Sequence, residues 1–155
     1  EKTSLDLWNH VLTTNTTSMF LGCKYSLRLL KKSKNASIVN SASITSIRGA
    51  KNMLAYATSK SAIVSFTSSL ALDLIKDKIR VNAVAPGAID TQMVETLKKE
   101  INSISKYNKR MSEAHPIGRI GYPQEVANVI CFLASEEASF MTGSTIPVDG
   151  GRSIR

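Results

Sequence analysis

Three short apolar runs set the architecture of this chain. They are Ser37 to Ala42, Ile79 to Val84 and Gly143 to Val148, and longer helix-like segments separate them. Short, mostly apolar runs of this kind suit strands buried on both faces of a parallel sheet. Helices alternating with such strands predict an α/β fold. No internal repeat and no low-complexity segment interrupts the pattern. At 155 residues the chain is at most one domain.

Residues from about Ser4 to Lys34 read as one helix. Ser4 is placed to cap it and Asp6 stands in the first turn. Leu5, Trp8, Val11, Leu12, Met19, Phe20, Cys23, Leu27 and Leu30 recur at spacings of three and four. The cluster Thr13 to Ser18 is poor in helix formers, which predicts a bend near Asn15. A second long helix is predicted from about Met53 to Lys76. Its apolar residues cover more than one stripe, so it packs on the sheet and on a neighbour as well.

Pro86-Gly87 ends the second strand in a turn. From Ala88 to Tyr122 the chain is least regular. A helical stretch is predicted from about Thr91 to Ser105, and a loop from Arg110 to Gly121. Pro123 at a first helical position, with Glu125 in the first turn, opens a helix that runs to about Ala134. Asp149-Gly150-Gly151 then makes a turn after the last strand.

Composition narrows the function classes. The 43% hydrophobic content suits a globular chain and argues against disorder. The formal net charge is +8, but the lysines are scattered and no aromatic residues interleave with them. This reads as surface charge, with neither nucleic acid nor membrane as a partner. Cys23 and Cys131 both lie in apolar helix-like segments and read as free buried thiols of a reducing compartment. No leader-like segment opens the sequence and no apolar run reaches ~18 residues, so the expected location is the cytoplasm. His10 and His115 have no partners at metal spacing, and no metal site is expected. No Gly-x-Ser-x-Gly elbow is present, which speaks against a serine hydrolase.

The chemistry concentrates between Ile38 and Leu74. Tyr56 and Lys60 are four residues apart, so on a helix they share a face one turn apart. An ammonium one turn from a phenol favours the phenolate, which makes the phenol a better proton shuttle near neutral pH. A short strand, Ser43 just beyond it and the Tyr-x-x-x-Lys helix form one constellation for acid/base work on an oxygen.

These residues resemble the short-chain dehydrogenase/reductase family of the single-domain type, over nearly the whole chain. Ser43 precedes Tyr56 by thirteen positions, and Lys60 follows it by four. Asn15 in Val11-Leu12-Thr13-Thr14-Asn15 is a further block. So are Arg80-Val81-Asn82-Ala83-Val84-Ala85-Pro86-Gly87 with Thr91, and Val148-Asp149-Gly150-Gly151. The resemblance implies a Rossmann-like, doubly wound parallel sheet and hydride transfer between NAD or NADP and a carbonyl or alcohol. In that pattern Tyr56 is the general acid/base, and Lys60 favours its phenolate and binds the nicotinamide ribose. Ser43 holds the substrate oxygen. Asn15, through its backbone carbonyl in an irregular turn, holds a water of the proton relay. Pro86 and Gly87 let the backbone approach the nicotinamide, and Ile89 and Thr91 bind its carboxamide. Val148-Asp149-Gly150-Gly151 has a structural part. The family is usually dimeric or tetrameric, and the two long helices suit a four-helix interface of a homotetramer.

A dinucleotide fold also needs a Gly-rich turn to cradle the pyrophosphate. None is present, and Gly118-x-x-Gly121 does not supply one. By the family pattern only the later strands and helices are here, the fifth to the seventh strand. On the order of 90 to 100 residues would precede them, at ~30 per βα unit, and the fifth strand would be an exposed apolar edge. Residues 1–155 are thus expected to be the C-terminal part of a single dinucleotide-binding and catalytic domain, inactive alone, with a substrate loop at about 88–122. Its lining would be Met93, Val94, Leu97 and Met111 with Asn52, Gln92 and Glu95, and residues 44–54 would form the other wall. Sugar, steroid, acyl-thioester and small-alcohol substrates all suit that lining. The rivals are a nucleotide-sugar epimerase or dehydratase, which carries a longer C-terminal domain, and a redox-sensing or scaffold protein that kept the fold.

Overall fold

The computed structural model describes residues 3–91 and 104–155. Helix α1 (Leu5–Leu12) opens it, with the Leu7 N–H donating to the Ser4 hydroxyl oxygen at 3.1 Å, as the capping pattern predicted. The single long helix expected from Ser4 to Lys34 is interrupted. A π-helical turn, Thr13–Thr17, joins α1 to α2 (Ser18–Leu30). It falls on the predicted weak stretch, where β-branched threonines and Asn15 displace good helix formers.

Three strands follow: β1 (Ser37–Ser41), β2 (Arg80–Pro86) and β3 (Thr145–Val148). They form one parallel sheet in the order β1-β2-β3, with Ser37 opposite Arg80 and Ala83 opposite Thr145. β2 runs past its expected end at Val84, because Ala85 and Pro86 pair with Pro147 and Val148. β1 is half-buried along most of its length. Helix α3 (Leu54–Leu74) crosses from β1 to β2, α4 is Ile104–Glu113 and α5 is Pro123–Ala134.

β2 shows why the layers form. Val81, Ala83 and Ala85 face α2 and α3, while Val84 faces α5 with Leu133, Val126 and Val129. The period of two sends alternate side chains to opposite layers, and all four residues are fully buried. On α3 the buried stripe is Ala55, Ser59, Ile63, Thr67 and Ala71, one residue every turn and mostly small. Those small side chains bring the helix close to the sheet.

Two buried asparagines tie the layers together. Asn40 Nδ2 donates to Thr67 Oγ1 at 2.9 Å, joining β1 to α3. Asn82, fully buried on β2, donates to the Met141 carbonyl at 2.8 Å and accepts from the Ser144 N–H at 3.1 Å. Asn82→Ala strands both groups in the interior, so it should cost about 2–4 kcal/mol of stability. Urea unfolding of the two proteins measures it, and a loss below about 1 kcal/mol would mean that the two groups find other partners.

Two further expectations need correction. Cys23 is buried and its burial pushes the thiol pKa up, but Cys131 is exposed. Val126, Val129, Ile130 and Leu133 form the stripe that packs on the sheet, and Cys131 lies off it. The loop expected from Arg110 begins later, because α4 continues to Glu113 and stops just before His115-Pro116. His115 lies beyond that helix, and both its ring nitrogens bond to backbone. The helix expected from Thr91 to Ser105 lies mostly outside the described residues, as do Gln92, Met93, Val94, Glu95 and Leu97.

Candidate active site

All three strands point their carboxyl ends the same way, and a parallel sheet of this kind places its site in the crevice beyond those ends. Ser43 stands just past β1. It is buried, in extended backbone, and caps the short 3-10 turn Ile44–Ser46 by accepting from the Thr45 N–H at 3.2 Å. That contact uses a lone pair of the hydroxyl and not its proton. The turn packs against α3, whose first turn carries Tyr56.

One turn further on, Lys60 reaches back across the strand end. Its Nζ donates to the Ser41 carbonyl at 2.9 Å and lies 5.8 Å from the centre of the Tyr56 ring. Burial pushes the Lys60 pKa below the ordinary lysine value. The sequence spacing thus brings the cation to the phenol, and the strand end supplies a partner that no spacing could name.

Asn15 arrives from the π-helical turn. Its Nδ2 donates to Ser59 Oγ at 2.9 Å, and Ser59 Oγ donates to the Tyr56 carbonyl at 2.7 Å. Thr16 Oγ1 donates to the Ser59 carbonyl at 3.1 Å. Ser59, fully buried, is therefore the clasp between the irregular turn and the Tyr56 helix. The sequence reading passed over it, although it sits between Tyr56 and Lys60 at the buried spacing of α3. The Asn15 side chain is engaged here, so any role toward a water falls to its backbone. A π-turn suits that role, since it disturbs the regular carbonyl ladder.

Beyond β2, the Gly87 N–H donates to the Val148 carbonyl at 3.0 Å. A Cβ at Gly87 would lie 2.7 Å from His115 Nε2 and 3.0 Å from Asp149 Cα, so only glycine fits. Ile89 bridges to Gly121 in parallel fashion. Thr91 is exposed, the last residue before the undescribed stretch. Asp149 braces the turn after β3 by accepting from the N–H groups of Gly151 (3.1 Å) and Ser153 (2.6 Å). Asn52, expected on the other wall, is exposed with φ 63°, and Arg48 Nη1 ties the 44–54 segment to the carbonyls of Arg152 and Arg155 at 2.6 and 3.1 Å.

A half-exposed ion pair closes the segment after His115. Arg119 Nη1 and Nη2 lie 2.9 and 2.7 Å from the two Glu125 oxygens, and Glu125 also accepts from the Tyr122 N–H at 2.7 Å. Arg119 first, and then that N–H, hold the Glu125 pKa down at about 2. The carboxylate's contribution should therefore be complete above its ordinary value of 4.5 and be lost as pH falls through about 2. Paired unfolding titrations of wild type and Glu125→Gln check this, the stability difference staying constant above 4.5 and shrinking as pH falls from there through about 2.

Comparison with known proteins shows the family. A family model described as enoyl-(acyl carrier protein) reductase matches residues 1–153. The chain is 43% identical over 144 residues to the 3-oxoacyl-[acyl-carrier-protein] reductase FabG of Aquifex aeolicus, covering 93% of this chain and 56% of that protein. A short chain dehydrogenase family protein of Francisella tularensis superposes with TM-score 0.94 at 37% identity, over 99% of this chain and 65% of its own. The chain belongs to the short-chain dehydrogenase/reductase family. A further solved member, ElxO with NADP bound, gives TM-score 0.89 at 30% identity, over 99% of this chain and 61% of that one. The chain thus spans little more than half the length of curated relatives it matches. Among the described residues no helix is long and apolar enough to cross a membrane.

Proposed function

We propose that the protein interconverts an alcohol and a carbonyl with NAD or NADP, Tyr56 serving as general acid/base. One observation carries the reading: the Lys60 ammonium lies 5.8 Å from the Tyr56 ring while anchored at 2.9 Å on the Ser41 carbonyl, at the carboxyl edge of a parallel sheet. Residues 1–155 then act as the C-terminal part of one dinucleotide-binding and catalytic domain, with 88–122 as its substrate loop.

The residues present suit the nicotinamide end of such a cofactor. Lys60 offers an ammonium to the ribose, and the Pro86-Gly87 turn, braced from behind by His115 and Asp149, offers close-approaching backbone. Ile89 and Thr91 follow as partners for the carboxamide. When bound, the nicotinamide supplies or accepts the hydride. Tyr56 gives its proton to the carbonyl oxygen in reduction and takes it back in oxidation. The Ser43 hydroxyl holds the substrate oxygen and stabilises its developing charge. The Asn15 backbone holds a water that links Lys60 to solvent and resupplies the proton.

A homo-oligomer, dimer or tetramer, accompanies the reading. Leu5, Phe20, Leu21, Tyr25, Leu29 and Leu72 expose large apolar surface on α1, α2 and α3, which suits a helix-on-helix subunit contact. Free cysteines rather than a disulfide suit a cytoplasmic enzyme. The substrate is a small ketone, aldehyde or alcohol. A 3-oxoacyl thioester heads the panel because the matched relative is named for that class. The test follows NADH and NADPH consumption by the full-length protein with 3-oxoacyl thioesters, cyclic ketones, oxidised sugars and small aldehydes. Cofactor-dependent reduction of one class is the expected result. Failure of both nucleotides to bind would rule the proposal out.

A further inference from the structure

We infer that His115 is a positioning residue that holds the Gly87–Ile89 backbone in the shape the nicotinamide end requires; the inference rests on the cofactor reading above. His115 is 2% exposed, and a polar ring that deeply buried must satisfy both nitrogens. Nε2 lies 3.0 Å from the Ala88 nitrogen, which can only donate, so Nε2 is the acceptor. Nδ1 lies 2.6 Å from the Met111 carbonyl, which can only accept, so Nδ1 carries the hydrogen. Two backbone groups thus fix one neutral tautomer, and neither nitrogen is left for proton transfer.

The position of that ring gives it a task. Four hydrogen bonds define the backbone after β2: Gly87 N–H to the Val148 carbonyl, Ala88 N–H to His115, Gly121 N–H to the Ala88 carbonyl, and Asp90 N–H to the Gly121 carbonyl. His115 contributes the one side chain among them. The glycines make room for it. A Cβ at Gly87 would fall 2.7 Å from Nε2, and one at Gly150, at φ +56°, would fall 3.6 Å from His115 Cβ and 2.5 Å from Ile117 Cγ2. The ring and Ala88 also line a recess of about 70 Å³ shared with Ile89, Ile117, Arg119 and Asp149. Through Met111 the same imidazole grips the last turns of α4. It therefore couples the substrate-side helix to the cofactor-side backbone, so that a shift of one is felt by the other.

Two near-isosteric substitutions separate the halves of this contact. His115→Gln places an amide oxygen near the Nε2 position and keeps an acceptor for Ala88. His115→Asn places an amide nitrogen near the Nδ1 position, keeps the bond to Met111 and strands the Ala88 N–H. Fluorescence titration of the full-length proteins with NADH and NADPH should give Kd about tenfold higher for His115→Asn, with His115→Gln close to wild type. ADP-ribose and phosphorylated ADP-ribose, which lack the nicotinamide, should bind all three proteins alike. Equal weakening of ADP-ribose and the nicotinamide nucleotides, unaltered binding by His115→Asn, or equal loss in both variants would overturn the inference. Wild-type protein that binds neither NADH nor NADPH would overturn the cofactor reading, and this inference with it.

Discussion

Tyr56→Phe is expected to cut turnover by about 10²–10⁴-fold and to leave the affinity for NADH or NADPH largely as it is. The substitution removes one oxygen and its proton and keeps the ring. That ring lies in the first turn of α3, whose buried stripe holds the helix to the sheet without help from the phenol. The Asn15–Ser59 clasp bonds to the Tyr56 carbonyl and not to its side chain, so it survives the change. Lys60 keeps its anchor on the Ser41 carbonyl and remains available to a ribose. What disappears is the group proposed to meet the substrate oxygen. Steady-state kinetics and nucleotide titration on the same preparation check both halves of the expectation. Near-normal turnover would remove Tyr56 from the acid/base role. A matching collapse of nucleotide binding would make it a cofactor anchor instead.

The difference between Tyr56 and His115 shows what was legible in the sequence and why. Tyr56 and Lys60 are close in sequence and lie on one regular helix, so a spacing of four was enough to bring them together. Ser43 and the Pro86-Gly87 turn were legible for a related reason, since both sit at strand ends that short apolar runs announce. Short apolar runs alternating with helices announced the parallel sheet, which the three strands form. His115 has partners in backbone atoms, one of them 27 residues away at Ala88. No side-chain pattern encodes such a contact, and the same holds for Lys60 on the Ser41 carbonyl and Arg48 on the carbonyls of Arg152 and Arg155. Ser59 looked like one more small helix residue until the π-turn brought Asn15 against it. Cys131 was misjudged because apolar neighbours were read as burial, when position on the helix stripe decides it.

Lys60→Met separates the two jobs proposed for one ammonium. Methionine keeps much of the unbranched stem and its packing but removes the charge. Turnover should fall by about 10²–10³-fold, the scale on which a positioned electrostatic contact acts. Nucleotide affinity should fall by about tenfold, as for the loss of one hydrogen bond to a charged group. Stability should move the other way at neutral pH, and the sign follows from burial. Desolvation holds the Lys60 pKa below its ordinary value of 10.5, so the folded protein binds this proton less tightly than the unfolded chain does. Between the lowered value and 10.5 the unfolded chain carries more of the proton, and stability due to Lys60 rises with pH across that window. Below the window the buried charge is a standing cost that Lys60→Met relieves; above 10.5 the cost is gone. Paired urea titrations of wild type and Lys60→Met across the alkaline range should therefore show wild type gaining on the variant as pH rises. The opposite slope would mean that the Ser41 carbonyl and the Tyr56 ring stabilise the ammonium by more than its desolvation costs. A variant that lost nucleotide affinity alone, with turnover at saturating nucleotide intact, would leave Lys60 as a ribose ligand and take it out of proton transfer.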